Sequence, residues 1–389
     1  MNNFYLPLMS DNIDKEDVKA VIDFLSQDQI PKLTNGPKVV EFENAWGEWL
    51  GTKYNLMVNS GASANELTML ALRYIYGEGS VIVPPLTWIS DISSVLFSGL
   101  TPVFCDINLK NFSFDMDALK KSITPNTKAI FLTHVLGING LTDELLELCE
   151  KNNIMLIEDV CESHGTTFKG QKVGSIGFAS NFSFYFAHHM STIEGGMICT
   201  NDEHFYQVCR ALRSHGMMRE MTNEDLKTQI ILDNPELNKD FIFIYPSHNF
   251  RSTELNAVIG LSQIKKLDKN NVDRISNFKY FMERLNPDKY ITDIEMEGQC
   301  NYAFIVVLKD PSFEMRDKVE TALKEKGIEF RRGLSGGGNQ LRQPFFKGMF
   351  NLDLFKNVDH VHYFGWYVGN YPSLEKEKID TLLNVLNNI

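Results

Sequence analysis

Asn153-Ile154-Met155-Leu156-Ile157-Glu158-Asp159 is an apolar run that closes on two acids. A strand with one face in water alternates apolar and polar residues, whereas one covered on both faces reads as a continuous apolar run. The run is therefore an interior strand of a mostly parallel sheet. Its two acids fall at the carboxyl end, where open α/β sheets receive their ligands. Working outward, residues 80–84, 101–106, 128–135 and 178–183 are compact runs of the same kind. Residues 39–50 and 64–76 read as amphipathic helices between them. Short buried strands alternating with helices make βαβ units, hence an α/β fold.

Beyond about residue 250 the pattern changes. Residues 254–267 read as a helix and 302–308 as a strand, and a helix over 312–326 stops at Gly327. Residues 328–332 read as extended, 336–338 as a glycine loop and 373–388 as a last helix behind Pro372. The expected division is a large α/β cofactor-binding domain over 1–250 and a smaller α+β domain over 251–389. The 389 residues are 43% hydrophobic and 23% charged, too apolar for a disordered chain. A net charge of −12 disfavours salt-driven binding to nucleic acid or an anionic membrane. The six cysteines, at 105, 149, 161, 199, 209 and 300, contain no C-x-x-C pair and are no disulfide framework, so a reducing cytoplasm is expected.

Three constellations carry chemistry. Asn59-Ser60-Gly61-Ala62-Ser63 follows a short extended segment and opens a helix, where small residues and free N–H groups suit an anion. Glu158-Asp159 ends the strand already described, and an acid there would keep a ring nitrogen protonated. Ser183-Phe184-Tyr185-Phe186-Ala187-His188-His189-Met190-Ser191-Thr192-Ile193-Glu194-Gly195-Gly196 sets two adjacent histidines among hydroxyls and aromatics. Adjacent residues of a regular strand face opposite ways, so at most one histidine serves a single pocket.

Taken in order, and with Thr87-Trp88 after a strand, these segments resemble the sugar aminotransferase family (DegT/DnrJ/EryC1/StrS). Its members are pyridoxal-phosphate enzymes of the aspartate aminotransferase type (fold type I). The resemblance implies that Gly61, Ala62, Ser63 and Ser183 hold the cofactor phosphate, that Trp88 stacks on its ring and that Asp159 pairs with its ring nitrogen. It further implies that Asn249-Phe250-Arg251 reaches the active site of a partner chain, making a homodimer. The sequence departs from the aminotransferase pattern at the lysine that anchors the cofactor, where His188 stands. No lysine occurs between Lys172 and Lys227.

Histidine at this position is the pattern of the family's 3-dehydratase branch. Gly337-Gly338-Asn339 with Gln343-Pro344, and Gly369-Asn370-Tyr371-Pro372, resemble further segments of that branch. Glu162 stands where aminotransferases usually carry glutamine and is placed with the cofactor-binding residues. The cysteines after His188 are too few for the iron–sulfur cluster of the CDP-sugar type. The resemblance therefore implies an enzyme like those of colitose biosynthesis. Such an enzyme alternates pyridoxal and pyridoxamine phosphate, takes L-glutamate as amino donor and removes the C3 hydroxyl of a GDP-linked 4-keto-6-deoxy sugar. His188 would be the catalytic base, Arg251 would meet the glutamate carboxylate, and His215 and Arg331 would line the sugar or nucleotide pocket. His189 reads as structural. The anionic ligands need a locally basic site on an acidic chain, and Arg219, Arg251, Arg331 and Arg332 are the expected sources. The alternatives are an aminotransferase using Lys172 or Lys227, and a non-catalytic homologue that binds cofactor or sugar.

Overall fold

The structure is a computed structural model and describes residues 4–389. Its larger sheet is built from β1 (Tyr54–Val58), β2 (Ser80–Val83), β3 (Thr101–Phe104), β4 (Thr127–Thr133) and β5 (Met155–Asp159). A short hairpin, β6 (Thr167–Phe168) and β7 (Gln171–Lys172), precedes its last two strands, β8 (Ala179–Ser183) and β9 (Gly196–Thr200). The spatial order is β1-β9-β8-β5-β4-β2-β3, with β9 antiparallel to both neighbours and every other pair parallel. This is the mostly parallel α/β sheet expected of fold type I.

Helices cover both faces, which explains the unbroken apolar strands. Val81 and Val83 pack into one core, while Ile82 between them packs into the other. Phe131 and Ile157 likewise face the first core, and Ile130, Leu132 and Leu156 the second. The covering helices of this part are α1 (Lys15–Leu25), α2 (Pro37–Leu50), α3 (Gly61–Tyr76), α4 (Ile89–Phe97), α5 (Met116–Ser122), α6 (Asp143–Asn152), α7 (Glu203–Arg213) and α8 (Glu224–Asp233).

The long α9 (Glu254–Met282) extends well past the residue at which its apolar pattern stops. Its buried Glu254 carboxylate accepts the backbone N–H groups of Gly36, Lys38 and Val39 at 2.9–3.0 Å and so fixes the start of α2. Further along, Arg274 and Asn277 are buried and donate to the carbonyls of Tyr302 and Tyr371 at 3.0 and 3.3 Å. Polar residues on the covered face break the hydrophobic periodicity, so this half of the helix is held by tertiary hydrogen bonds together with Phe278, Phe281 and Met282 in the core. A second, antiparallel sheet follows, ordered β10 (Ala303–Val307), β12 (Gly365–Gly369), β11 (Phe330–Arg332). It carries α10 (Phe313–Glu325), α11 (Lys356–Phe364) and α12 (Lys376–Asn387). The N-terminal segment joins it, with Tyr5 N–H donating to Gly327 O at 2.9 Å and Glu329 N–H to Leu6 O at 2.9 Å.

Candidate functional site

The carboxyl ends of β4, β5 and β8 open on a cavity of about 420 Å³. One wall is the first turn of α3. Val58 and Ser183, the last residues of β1 and β8, both lie opposite Gly196 of β9. The chain leaving β1 passes so close that a Cβ on Gly196 would stand 2.3 Å from Ser60 O, and one on Gly61 would stand 2.6 Å from Ser183 Cβ. Two glycines therefore let the N-terminus of α3 meet the end of β8. Ser60 caps the helix by accepting from Ser63 N–H at 3.1 Å. Gly61, Ala62 and Ser183 line the cavity beside it, so free helix N–H groups and a hydroxyl share one corner.

The floor is acidic. Asp159 is buried, and its Oδ1 accepts from Cys161 N–H at 2.8 Å. Glu162 lines the same cavity, and its Oε2 accepts from Leu136 N–H at 3.3 Å. Burial, and then the Asp159 charge, push the Glu162 carboxyl up to about 7. Trp88, immediately before α4, forms a wall with its indole 56% exposed, a flat apolar surface left uncovered by this chain.

His188 enters from the loop after β8. Phe184 N–H donates to Gly195 O at 2.8 Å and Thr192 N–H to Phe184 O at 2.9 Å, which closes residues 184–195 into a loop. His188 N–H donates to Tyr185 O at 3.0 Å within it, and the Asn12 amide donates to His188 O. The imidazole packs near Tyr185 and Tyr302, at centroid distances of 5.8 and 5.5 Å, and its Nδ1 has no hydrogen-bond partner. Burial, with a smaller push from the Arg274 guanidinium, lowers its pKa to about 3, so the ring is neutral. His189 turns away, its Nε2 bonded to Cys300 O at 2.9 Å, which is a structural role.

The cavity thus collects Gly61, Ala62, Trp88, Asp159, Glu162, Ser183 and His188 from the residues singled out in the sequence. Ser63, Asn249, His215, Arg251 and Arg331 do not line it. Ser63 is spent on the cap. His215 is exposed in a turn, with φ +63° and its N–H donating to His248 O at 2.8 Å. Asn249 is exposed and accepts from Arg251 N–H at 3.1 Å. Arg331 pairs with Glu329 at 3.1 Å, and Arg332 grips Glu320 through two bonds of 2.5 and 2.7 Å. No lysine or arginine lines the cavity among the described residues. The buried Arg274 is the cation whose charge bears on His164, His188 and His189. Tyr302 and Tyr367 line the cavity but carried no local signal, because they come from β-strands of the second sheet and its approach, far along the chain.

Lys172 donates to Trp49 O at 2.6 Å, and Lys227 pairs with Glu224 at 2.8 Å on α8; neither lines the cavity. A helix N-terminus and hydroxyl for a phosphate, an indole for a flat ring and a carboxylate for a ring nitrogen together fit pyridoxal phosphate.

A family model described as the DegT/DnrJ/EryC1/StrS aminotransferase family matches residues 11–387. The chain is 31% identical over 390 residues to GDP-4-keto-6-deoxy-D-mannose 3-dehydratase of Escherichia coli O55:H7, covering 98% of this chain and 99% of that one. It is 32% identical over 397 residues to the protein of the same name from Yersinia pseudotuberculosis, covering 99% and 98%. A crystal structure of GDP-4-keto-6-deoxymannose-3-dehydratase with a trapped PLP-glutamate geminal diamine superposes with a TM-score of 0.84 at 29% identity, over 98% of this chain and 100% of that one.

Proposed function

The chain belongs to the DegT/DnrJ/EryC1/StrS aminotransferase family, and from that premise we propose that it is a pyridoxal-phosphate-dependent GDP-4-keto-6-deoxy-D-mannose 3-dehydratase. The observation that carries the reading is His188, a neutral imidazole in a cavity without lysine. The full-length relatives named for this activity support it.

When bound, the cofactor supplies an electron sink and carries an amino nitrogen between two substrates. Gly61 and Ala62 N–H groups with the Ser183 hydroxyl would hold its phosphate, Trp88 would cover its ring, and Asp159, with Glu162 on the same floor, would accept from its ring nitrogen. His188 takes the α proton of L-glutamate, which leaves as 2-oxoglutarate. Desolvation disfavours the charged imidazole, so His188 holds that proton only in passing. In the sugar half it delivers a proton to the departing C3 hydroxyl. The electrons balance: glutamate is oxidised by two, C3 of the sugar is reduced by two, and the products are GDP-4-keto-3,6-dideoxy-D-mannose, 2-oxoglutarate and ammonia.

A homodimer completes the site in this reading. Trp88, Tyr185, Phe186 and Ile193 leave apolar surface exposed around the opening, and Asn249-Phe250-Arg251 of a second copy would cover it. Arg251 would then supply a guanidinium fork for the glutamate carboxylate. His215 and Arg331 are carried as sugar or nucleotide contacts, the division at 250/251 as the domain boundary, and the cytoplasm as the compartment. No helix among the described residues is long and apolar enough to cross a membrane.

The test supplies glutamate and GDP-4-keto-6-deoxymannose and follows ammonia, 2-oxoglutarate and the deoxygenated ketosugar. Their stoichiometric appearance is expected. Borohydride reduction with pyridoxal phosphate that modifies one lysine stoichiometrically would instead establish an aminotransferase.

A further inference from the structure

Asp91 is a fully buried acid beneath the cavity, in the first turn of α4 just after Trp88. Its Oδ1 accepts from the Asn65 amide at 2.6 Å, and its Oδ2 from Thr133 Oγ1 at 3.0 Å and from Thr87 Oγ1. Thr133 lies opposite Asp159 in the β4–β5 register, which sets Asp91 behind the floor acid. The groups facing it from neighbouring elements are neutral or acidic: Asn65 from α3, Thr133 from β4, Asp159 from β5, and Cys161 and Glu162 after it. His134 nearby has its Nε2 engaged by Glu158 at 3.1 Å.

The proton count decides the ionisation state. The two threonine hydroxyls are also 2.7 Å apart, so Thr87 Oγ1, Thr133 Oγ1 and Asp91 Oδ2 form a triangle of three O···O hydrogen bonds. Two hydroxyls supply two protons, and the third side needs one more. A protonated Asp91 provides it; an ionised one leaves two oxygens in contact with no hydrogen between them. The α4 dipole and the three hydrogen bonds to the carboxyl oxygens favour an ionised Asp91, whereas full burial with no cation beside it among the described residues favours the neutral acid. Burial, then the Asp159 charge and a direct side-chain contact with Asp159, raise the Asp91 pKa well above its ordinary value, and the two threonine bonds offset only part of this.

We propose that Asp91 is a positioning residue that keeps one proton beneath the cofactor ring, so that the Asp91–Asp159 pair as a whole carries a single negative charge matched to a single protonated ring nitrogen. The cofactor part rests on the function proposed above; the shared proton does not.

The experiment compares apo-protein unfolding against pH for wild type and Asp91→Asn, which mimics the neutral acid and cannot ionise. The expected result is a folding constant of the variant that gains on wild type by up to about tenfold per pH unit above the ordinary carboxyl range. A ratio that stays constant or falls with pH overturns the proposal. If Asp91→Asn does not fold, NMR of wild type labelled at aspartate Cγ replaces it. One carboxyl is expected to remain protonated at neutral pH, and none doing so overturns the proposal.

Titration with pyridoxal phosphate then tests positioning. Asp91→Asn is expected within about threefold of wild type and Asp91→Ala at least about tenfold weaker, the size of one lost hydrogen bond. Equal affinity of Asp91→Ala and wild type overturns that role. Failure of wild type itself to bind pyridoxal phosphate refutes the functional reading while leaving the pH slope standing.

Discussion

Gly61→Ala adds one methyl group at the narrowest point of the site. Its Cβ would lie 2.6 Å from Ser183 Cβ, 3.0 Å from Ser183 Oγ and 3.1 Å from Cys161 Sγ. The hydroxyl can rotate away, but Ser183 Cβ is tied to a strand paired on both sides, so the first turn of α3 must move instead. Overpacking of this kind costs about 1–3 kcal/mol. Alanine in place of glycine returns up to about 0.5–1 kcal/mol of helix stability, and less at the first helical position. The apo-protein should therefore lose about 1–2 kcal/mol. Affinity for pyridoxal phosphate should fall further, because the displaced N–H groups are those that face its phosphate. Losing one charge-assisted hydrogen bond costs about 1.5–3 kcal/mol, or about ten- to a hundredfold in dissociation constant. Equilibrium titration of apo-protein, followed by cofactor absorbance and paired with urea unfolding, measures both. A variant within about twofold of wild type in affinity and unchanged in stability would refute the close approach of α3 to β8 as the basis of phosphate binding.

His188→Asn should lower turnover by about 10²- to 10⁴-fold, the usual worth of a positioned acid–base group, with cofactor affinity within a few fold; retained activity would remove His188 from the chemistry. His164, His188 and His189 all have pKa values held below 6.5 by burial. The unfolded chain therefore binds more protons as pH falls through about 6.5, and stability present above that value is lost below it, by about 1.4 kcal/mol per pH unit for each histidine. Urea midpoints should drop steeply on the acid side, less so in His188→Asn, and a flat acid limb would contradict three neutral, desolvated imidazoles. Lys172→Ala and Lys227→Ala should keep glutamate-dependent ammonia release within about twofold, since exposed or half-exposed ion pairs and packing contacts of this kind contribute little; loss of activity with folding intact would restore a lysine to the mechanism.

The legible parts of the site are those whose chemistry travels with local sequence. Ser60-Gly61-Ala62 sits at a strand-to-helix junction, Asp159 at a strand end and His188 in a loop within one motif. Each side chain is placed by the few residues around it. Arg274 stands in a stretch where Asn271, Arg274 and Asn277 are buried polar residues, so the pattern that marks a helix is missing there. Arg331 and Arg332 illustrate the opposite failure: they read as free cations, and the fold pairs them with Glu329 and Glu320. Glu329 is two residues from Arg331 and Glu320 twelve from Arg332, yet which side chains turn toward each other is set by the packing of β11 against its neighbours and not by spacing alone.

The sequence by itself determined the α/β class, because a sheet buried on both faces needs continuous apolar strands. It also determined the break with aminotransferase chemistry, because an imidazole replaces an amine at one position whatever surrounds it. The tertiary structure decided the electrostatics of the cavity. Desolvation keeps the His188 imidazole neutral, and the fold places Asp91 behind Asp159, where two hydroxyl protons are shared among three oxygens. Those properties depend on the distance and desolvation of groups from separate elements, which exist only once the chain has folded.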